Sequence, residues 1–199
     1  MAEKFMQLAL TPEVQSAQDH YFGRHQSMAN APERDAFTDD ELAFIAARDS
    51  FYMATTNSDG WPYVQHRGGP PGFLKVVAPD RLGFADFKGN RQMLTTGNLA
   101  GNDRVALFLM DYPQQTRLKI LGHGRVVDAR ENGRLADQLC PSPELRDKVE
   151  RLFLIHVVGF DWNCPKYITP RYTSGEIREA IAPLQARIAE LEEQLRRKA

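Results

Sequence analysis

Cysteine is scarce in this chain, and long apolar runs are missing. The only cysteines among 199 residues are Cys140 and Cys164, too few for a disulfide framework and typical of a reducing cytoplasm. No apolar stretch approaches the roughly 20 residues that a membrane-spanning helix needs. The N-terminal segment contains acidic residues and has no small-residue cleavage site after an apolar core, so it is not interpreted as a signal peptide. These absences predict a cytoplasmic protein without a membrane segment.

A charge excess of either sign is also missing. The formal net charge is −1, which favours neither nucleic acid nor an anionic membrane as a partner. The five histidines show no metal-ligand spacing, the cysteines form no CxxC pair, and no Ser/His/Asp arrangement is recognisable. The sequence therefore predicts no metal site and identifies no catalytic residue.

Apolar and polar residues alternate over much of the middle of the chain. Phe51–Thr56 and Trp61–Arg67 predict two strands joined by a turn at Asn57–Gly60, where Asp-Gly favours a hairpin. Many short strands with tight turns and few helices favour an antiparallel barrel over βαβ units. Further strands are predicted over 73–77, 82–87, 105–110 (central in the sheet), 117–127 and 152–162.

Several helices are predicted around these strands. A capping box from Thr38 to Glu41 predicts a helix ending near Arg48. Asn90 can cap a second helix over Arg91–Asn98. Other helical patterns cover 131–139 and 143–149, with a short one starting at residue 12. The predicted domains are an N-terminal extension (1–37), a barrel domain (38–173) and a C-terminal helix (174–199).

The C-terminal helix has a heptad pattern. Its apolar residues are separated by four, three, four, three and four positions, which is the a/d spacing of a coiled coil. Only about three heptads are present, and Pro183 interrupts the hydrogen-bond ladder. Pairing with a second copy, packing on the barrel and docking of a partner all remain open. The residues are Ile177, Ile181, Leu184, Ile188, Leu191 and Leu195.

The stretch Gln65 to Met93 concentrates cations beside glycines. His66 and Arg67 form a first basic arm, and Lys88 to Arg91 form a second at a predicted strand–helix junction. Arginine can pair two phosphate oxygens, lysine adds a point charge, and a helix N-terminus adds amide donors. The stretch therefore predicts a site for a phosphate-bearing ligand, although such residues at a junction are often only solvated surface.

The predicted strand over 117–127 has one basic face. Arg117, Lys119, His123 and Arg125 alternate with apolar residues. Aromatic residues that would stack on bases are not interleaved with them, so a nucleic-acid surface is not favoured.

Four segments between roughly Thr38 and Arg171 have a recognisable pattern: FYMATTNSDGWPYVQHRGG, FADFKGNRQM, RLKILGHGRVV and DWNCPKYITPR. Through these segments the chain resembles the pyridoxamine-phosphate-oxidase-like family of FMN-binding split barrels. It implies a mainly β (α+β) fold, an antiparallel split β-barrel with flanking helices. It also implies bound FMN and a homodimer with the flavins between the subunits.

The resemblance further implies which residues bind the cofactor. The first arm contacts the ring and phosphate, the second arm contacts the phosphate, and the strand of Arg117 contacts the ribityl chain or ring. The segment DWNCPKYITPR is implied to come from the partner subunit. The full set is Gln65, His66, Arg67, Gly68, Lys88, Gly89, Asn90, Arg91, Gln92, Arg117, Trp162, Asn163, Lys166 and Arg171.

The segment after Trp162 departs from the family pattern. Where the oxidase carries an arginine–histidine substrate pair, this chain reads CPKYITPR. The first arm is also followed by a looser GGPPG sequence. Both departures favour the uncharacterised flavin-binding branch over the true oxidase.

The predicted function is that of an FMN-dependent oxidoreductase in which the flavin transfers hydride or electrons. A cation near the ring, from Arg117 or Lys166, would stabilise the reduced, anionic flavin. The substrate is a small redox molecule that the sequence does not identify; neither nucleic acid nor membrane is expected as a partner. Two alternatives remain open: a haem or deazaflavin protein, with His66 or His123 as an axial ligand for haem, and a non-catalytic flavin-binding or sensing module.

Overall fold

The computed structural model describes residues 3–89, 91–162 and 165–198. Their contacts divide them into two compact units. The smaller unit takes residues 111–116 and 165–198, and the larger takes the remaining described residues. Among the described helices, none is long and apolar enough to cross a membrane.

Most strands follow one another along the described chain without an intervening helix. The strands are β1 (Ser50–Thr56), β2 (Pro62–Gly68), β3 (Lys75–Ala78), β4 (Arg81–Phe87), β5 (Arg104–Asp111), β6 (Thr116–Asp128) and β7 (Val149–Trp162). The helices are α1 (Glu3–Ala9), α2 (Pro12–Phe22), α3 (Asp39–Ala46), α4 (Leu94–Gly101), α5 (Gly133–Leu139) and α6 (Ser174–Lys198). A 3-10 helix, Pro143–Lys148, precedes β7.

The seven strands form one sheet with the order β2-β1-β5-β6-β7-β4-β3. β1 pairs antiparallel with β2 and β5, and β7 pairs antiparallel with β6 and β4. This architecture confirms the predicted mainly β, antiparallel fold with flanking helices. It also confirms the predicted central position of β5, which lies between β1 and β6.

The inward-facing side chains of the sheet form the main core. Alternate residues of each strand reach the same face, so Phe51 and Met53 of β1 join Phe84 of β4 and Phe153 of β7 in one buried cluster. A second cluster, which includes Leu139 of α5, is built from Ala85, Ala129, Ala136, Leu139, Cys140, Val149 and Leu152. The inner face of the sheet therefore carries aromatic packing on which charged groups can be positioned.

The N-terminal extension is fixed to β7 by a buried carboxylate. Asp35 accepts hydrogen bonds from the amides of Lys4 (2.9 Å), Phe5 (3.0 Å) and Phe160 (3.2 Å). The first two belong to the first turn of α1, where amides have no helical acceptor. A Cβ atom on Gly159 would lie 2.6 Å from the Phe5 nitrogen, so glycine permits this close approach. The sequence did not predict α1.

Some predicted boundaries were wrong. The helix expected over 91–98 begins at Leu94, because Met93 at its N-cap has a left-handed φ of 57°, which does not continue a right-handed helix. Asn90, the predicted cap, lies outside the described residues. β3 begins at Lys75 rather than Phe73, and the helix expected over 143–149 is a 3-10 helix.

Candidate functional site

β2 divides the first basic arm between the two faces of the sheet. In the β1–β2 register Arg67 lies opposite Phe51, which is buried, whereas His66 lies opposite Tyr52, which is 40% exposed. Gln65 shares the inner face with Arg67, since side chains two apart point the same way. His66 and Arg67 therefore point to opposite faces of the sheet, His66 outward and Arg67 toward the core.

Inside the sheet, one carboxylate binds two arginines. Arg67 Nη1 donates to Asp86 Oδ1 at 2.8 Å, and Arg151 donates to Asp86 Oδ2 from Nε at 2.9 Å and from Nη2 at 2.7 Å. The three side chains are 11%, 18% and 14% exposed in the order Arg67, Asp86, Arg151. Arg151 Nη1 also donates to Glu150, a more exposed carboxylate, at 3.0 Å.

Arg67 has capacity for a further hydrogen bond. Among the described residues its Nε has no acceptor, although the atom is buried. Its guanidinium lies over the rings of Phe153 at 4.9 Å and Phe84 at 5.7 Å. Burial lowers the pKa of Arg67 from its usual value, and the charge of Asp86 acts in the opposite direction. Arginine nonetheless stays charged, so Arg67 is a buried cation with an unused donor.

The first turn of α4 lies beside these arginines. Thr95 Oγ1 donates to Gln65 Oε1 at 2.9 Å, which fixes the helix to β2. No described side chain caps the helix at Met93, and the first amides of a helix have no helical acceptor. A cavity of about 30 Å³ lies here. Its lining residues are Gln65, Arg67, Asp86, Phe87, Met93, Leu94, Thr95, Thr96 and Arg151.

The second basic arm follows β4 on the surface. Lys88 is exposed, and its amide donates to the Lys148 carbonyl at 2.8 Å. Gly89 has open space around its Cβ position. Arg91 and Gln92 are exposed and directly precede Met93, which lines the cavity. Asn90 lies outside the described residues.

Two other residues of the same stretch have structural roles. Gly68 ends β2 opposite Ser50 of β1. Lys75 Nζ donates to the carbonyls of Gln138 at 2.7 Å and Cys140 at 3.2 Å. Lys75 therefore binds the C-terminal end of α5, where a cation is favourable.

The outer face of β1, β2 and β5 is apolar. Tyr52 lies opposite both His66 and Phe108 in the register, and its ring meets the His66 ring edge-on at 5.6 Å. The Arg117 guanidinium lies 5.8 Å from the Phe108 ring centroid. An open cavity of about 420 Å³ covers this face. Its lining residues are Phe5, Tyr52, Ala54, Val64, Ala106, Leu107, Phe108, Lys119, Ile120 and Leu121.

Trp162 is bound to α3 of its own chain. Its indole N–H donates to Glu41 Oε1, and its ring packs edge-on against Phe44 at 4.8 Å. Glu41 also accepts from the amide and hydroxyl of Thr38, which confirms the predicted capping box. Burial would raise the pKa of the Glu41 carboxyl, but the hydrogen bonds from Thr38 and Trp162 outweigh it and the pKa lies below its usual value.

The remaining predicted residues follow β7. Lys166 and Arg171 belong to the smaller unit and are exposed. The Arg171 guanidinium lies 5.0 Å from the Tyr112 ring centroid in the same unit. Asn163 lies outside the described residues.

Sequence reasoning missed Asp86, Arg151 and Thr95. Asp86 and Arg151 are 65 positions apart and become direct neighbours only because β4 pairs with β7. The sequence did contain a usable signal. Asp86 lies two positions after Phe84, and Arg151 lies two positions before Phe153, which is one period of a strand. A charged residue in phase with buried aromatic residues indicates a charge that faces inward.

Comparison with known proteins adds a family to this geometry. No curated protein matches the chain. HupZ of Group A Streptococcus is 11% identical, with 68% of this chain and all of that chain covered (100%) and a TM-score of 0.48. A NimC/NimA family protein of Clostridium acetobutylicum is 18% identical, with coverages of 62% and 85% and a TM-score of 0.46.

An FMN-binding protein of Syntrophomonas wolfei is 10% identical, with coverages of 63% and 87% and a TM-score of 0.43. Similarities this weak assign no activity. A match at the level of sequence is stronger: the model of the pyridoxamine 5'-phosphate oxidase family matches residues 37–143. That match spans more than half of the chain and includes β2, β4 and α4, and the protein therefore belongs to the pyridoxamine 5'-phosphate oxidase family.

Proposed function

We propose that this protein binds FMN and uses it as an oxidoreductase, with the flavin phosphate at the cavity beside Arg67. The observation that carries the proposal is the buried Arg67 Nε without an acceptor, next to Arg151 and the first turn of α4. A phosphate monoester supplies acceptor oxygens and negative charge together. Guanidinium groups and helix amides are the donors that bind such groups in proteins.

The size of the cavity supports a phosphate rather than a whole flavin. About 30 Å³ accommodates on the order of two water molecules, which suits phosphate oxygens but excludes a three-ring system. The proposed role of Lys88, Gly89, Asn90, Arg91 and Gln92 is to bind the outer phosphate oxygens.

The proposed place of the ring is the apolar outer face. Its cavity of about 420 Å³ is within the range of small-molecule sites. Tyr52 and Phe108 supply aromatic surface, and His66 and Arg117 flank them with polar groups. A cation there would stabilise the negative charge of reduced flavin.

We also propose a homodimer in which each subunit completes the other's flavin site. An open apolar face on β1, β2 and β5 suits burial against a second copy. In this arrangement Gly68 contributes backbone contacts, and the segment containing Trp162, Asn163, Lys166 and Arg171 reaches the partner's flavin. Because Trp162 already donates to Glu41, it would offer its ring surface rather than its N–H.

FMN itself supplies the hydride or electron transfer. The residues of the chain bind the phosphate, orient the ring against an apolar surface and exclude water from one of its faces. No described residue is assigned as a proton donor or acceptor.

The test is an absorption spectrum of the purified protein, followed by titration with FMN under fluorescence detection. The expected result is a flavin spectrum, or quenching of added FMN that saturates at one equivalent per chain. A Soret-type band would replace the proposal with haem binding, and a colourless protein that leaves FMN fluorescence unchanged would refute it.

A further inference from the structure

The C-terminal helix α6 exposes a continuous apolar stripe. The helix has 25 residues, which corresponds to about 37 Å. The side chains of the stripe are between 38% and 68% exposed. Single exposed leucines are ordinary, but a contiguous stripe indicates an interaction surface. The stripe consists of Ile177, Ile181, Leu184, Ile188, Leu191 and Leu195.

Local interactions define the start and the polar faces of α6. Thr173 and Glu176 form a reciprocal cap, in which the Thr173 amide donates to Glu176 at 2.7 Å and the Glu176 amide donates to Thr173 Oγ1 at 3.2 Å. Arg197 donates to Glu193 at 3.0 Å one turn away. Such pairs supply only tenths of a kcal/mol each, so burial of the stripe is what a helix of this length requires for stability.

The residue types along the stripe favour one partner geometry. In heptad positions, a is occupied by Ile181, Ile188 and Leu195, and d by Ile177, Leu184 and Leu191. The two central layers therefore have isoleucine at a and leucine at d. This combination favours a parallel two-stranded coiled coil over trimers or tetramers.

The charges beside the stripe favour the same geometry. Arg187 occupies position g, and Glu192 occupies position e of the next heptad, five residues later. In a parallel pair, position g faces the following position e of the partner. Arg187 therefore faces the partner's Glu192, and two-fold symmetry forms this pair twice. An antiparallel pair would instead bring the two Arg187 side chains together, and like charges repel.

We propose that α6 pairs in parallel with α6 of a second copy of this chain as a two-stranded coiled coil. About three heptads give a weak coiled coil alone. Any other contact between the two chains raises the effective concentration of the helices. The proposal depends on the sequence and exposure of α6 and does not require flavin binding.

Cysteine cross-linking tests this pairing in the full chain, with Cys140→Ala and Cys164→Ser as the background. In a parallel pair the two copies of position 195 meet at a core layer, so Leu195→Cys is expected to form a disulfide-linked dimer rapidly. The matched control is Ala186→Cys, at position f on the opposite side of the helix, which should cross-link at least tenfold more slowly. Equal rates for the two variants would overturn the proposal, as would cross-linking of Leu195→Cys only when it is mixed with Ile177→Cys.

Charge reversal tests the orientation in the same background. Arg187→Glu and Glu192→Arg should each slow the Leu195→Cys cross-link by about threefold to tenfold, and the double variant should restore it. Failure of the double variant to restore the cross-link would contradict the parallel pairing of Arg187 with the partner's Glu192. FMN quenching measured on the same samples separates failure of the helix pairing from failure of cofactor binding.

Discussion

Asp86 and Arg151 lie directly opposite each other on β4 and β7, and Arg151 donates two hydrogen bonds to a single Asp86 oxygen. The other oxygen of Asp86 accepts from Arg67. One carboxylate therefore determines where both inner arginines point. The site proposed for the phosphate depends on this arrangement, because Asp86 accepts hydrogen bonds from both guanidiniums that line the cavity.

Asp86→Asn removes the charge that both arginines share. Arg151 keeps its contact with Glu150, but loss of the charge that pairs with both largely buried guanidiniums should lower the free energy of unfolding by about 3 kcal/mol. Urea denaturation checks this value. The matched control is Asp137→Asn, because Asp137 is 70% exposed and pairs with Arg146 at the surface. This substitution should lower the free energy of unfolding by less than about 1 kcal/mol. Equal effects for the two variants would show that Asp86 is not the organising charge.

Arg91→Ala tests the second basic arm. Loss of a charge-assisted hydrogen bond to phosphate, usually about 1.5–3 kcal/mol, should weaken FMN binding by roughly one to two orders of magnitude. Fluorescence titration of the variant gives the dissociation constant. Arg130→Ala is the control, because Arg130 is 85% exposed and is not among the residues that line the cavity. An unchanged FMN affinity in Arg91→Ala would show that Arg91 does not contact the phosphate.

Trp162→Phe keeps an aromatic ring but removes the indole N–H that donates to Glu41. The pKa of Glu41 is lower in the folded protein than its unfolded value of about 4.5. The ionised Glu41 carboxylate therefore stabilises the fold above pH 4.5. This stabilisation is lost as the pH falls through the folded pKa. The variant should lose about 1–3 kcal/mol at pH 7 and show a shallower loss below pH 4.5. Urea midpoints between pH 3 and 7 measure both effects; parallel pH profiles would contradict the assignment.

Gly159→Ala tests the seating of α1 on β7. The new methyl group would lie 2.6 Å from the Phe5 nitrogen, so backbone must shift, at a cost of about 1–3 kcal/mol. Gly97→Ala is the matched control, since its Cβ position in α4 meets nothing within 4 Å and alanine favours a helix by about 0.5–1 kcal/mol. Thermal unfolding should therefore shift in opposite directions for the two variants. A shift in the same direction would show that α1 does not pack as described.

The sequence predicted what depends on neighbouring residues. The turn at Asn57–Gly60 is an example: Gly60 has a φ of 86°, and the β1–β2 register runs from Thr56 and Pro62 to Ser50 and Gly68. Alternation along β6 likewise predicted which side chains face the core, because Leu118 and Ile120 are fully buried while Arg125 is exposed.

What escaped prediction depends on distant pairing. Asp86 meets Arg151 only through the strand order of the sheet, which no local pattern encodes. The seven-residue helix α1 is too short to be stable by itself and depends on Asp35, some 30 positions later in the chain. The split of His66 and Arg67 between two faces follows from strand alternation, but the sequence does not say which face is buried.

The most direct test of a phosphate site beside Arg67 compares the affinities of FMN and riboflavin, which differ by the phosphate alone. The expected result is that FMN binds at least tenfold more tightly to the unaltered protein, and that most of this ratio disappears in Arg67→Met, which keeps the aliphatic length and removes the charge. Equal dissociation constants for FMN and riboflavin in the unaltered protein would contradict the account.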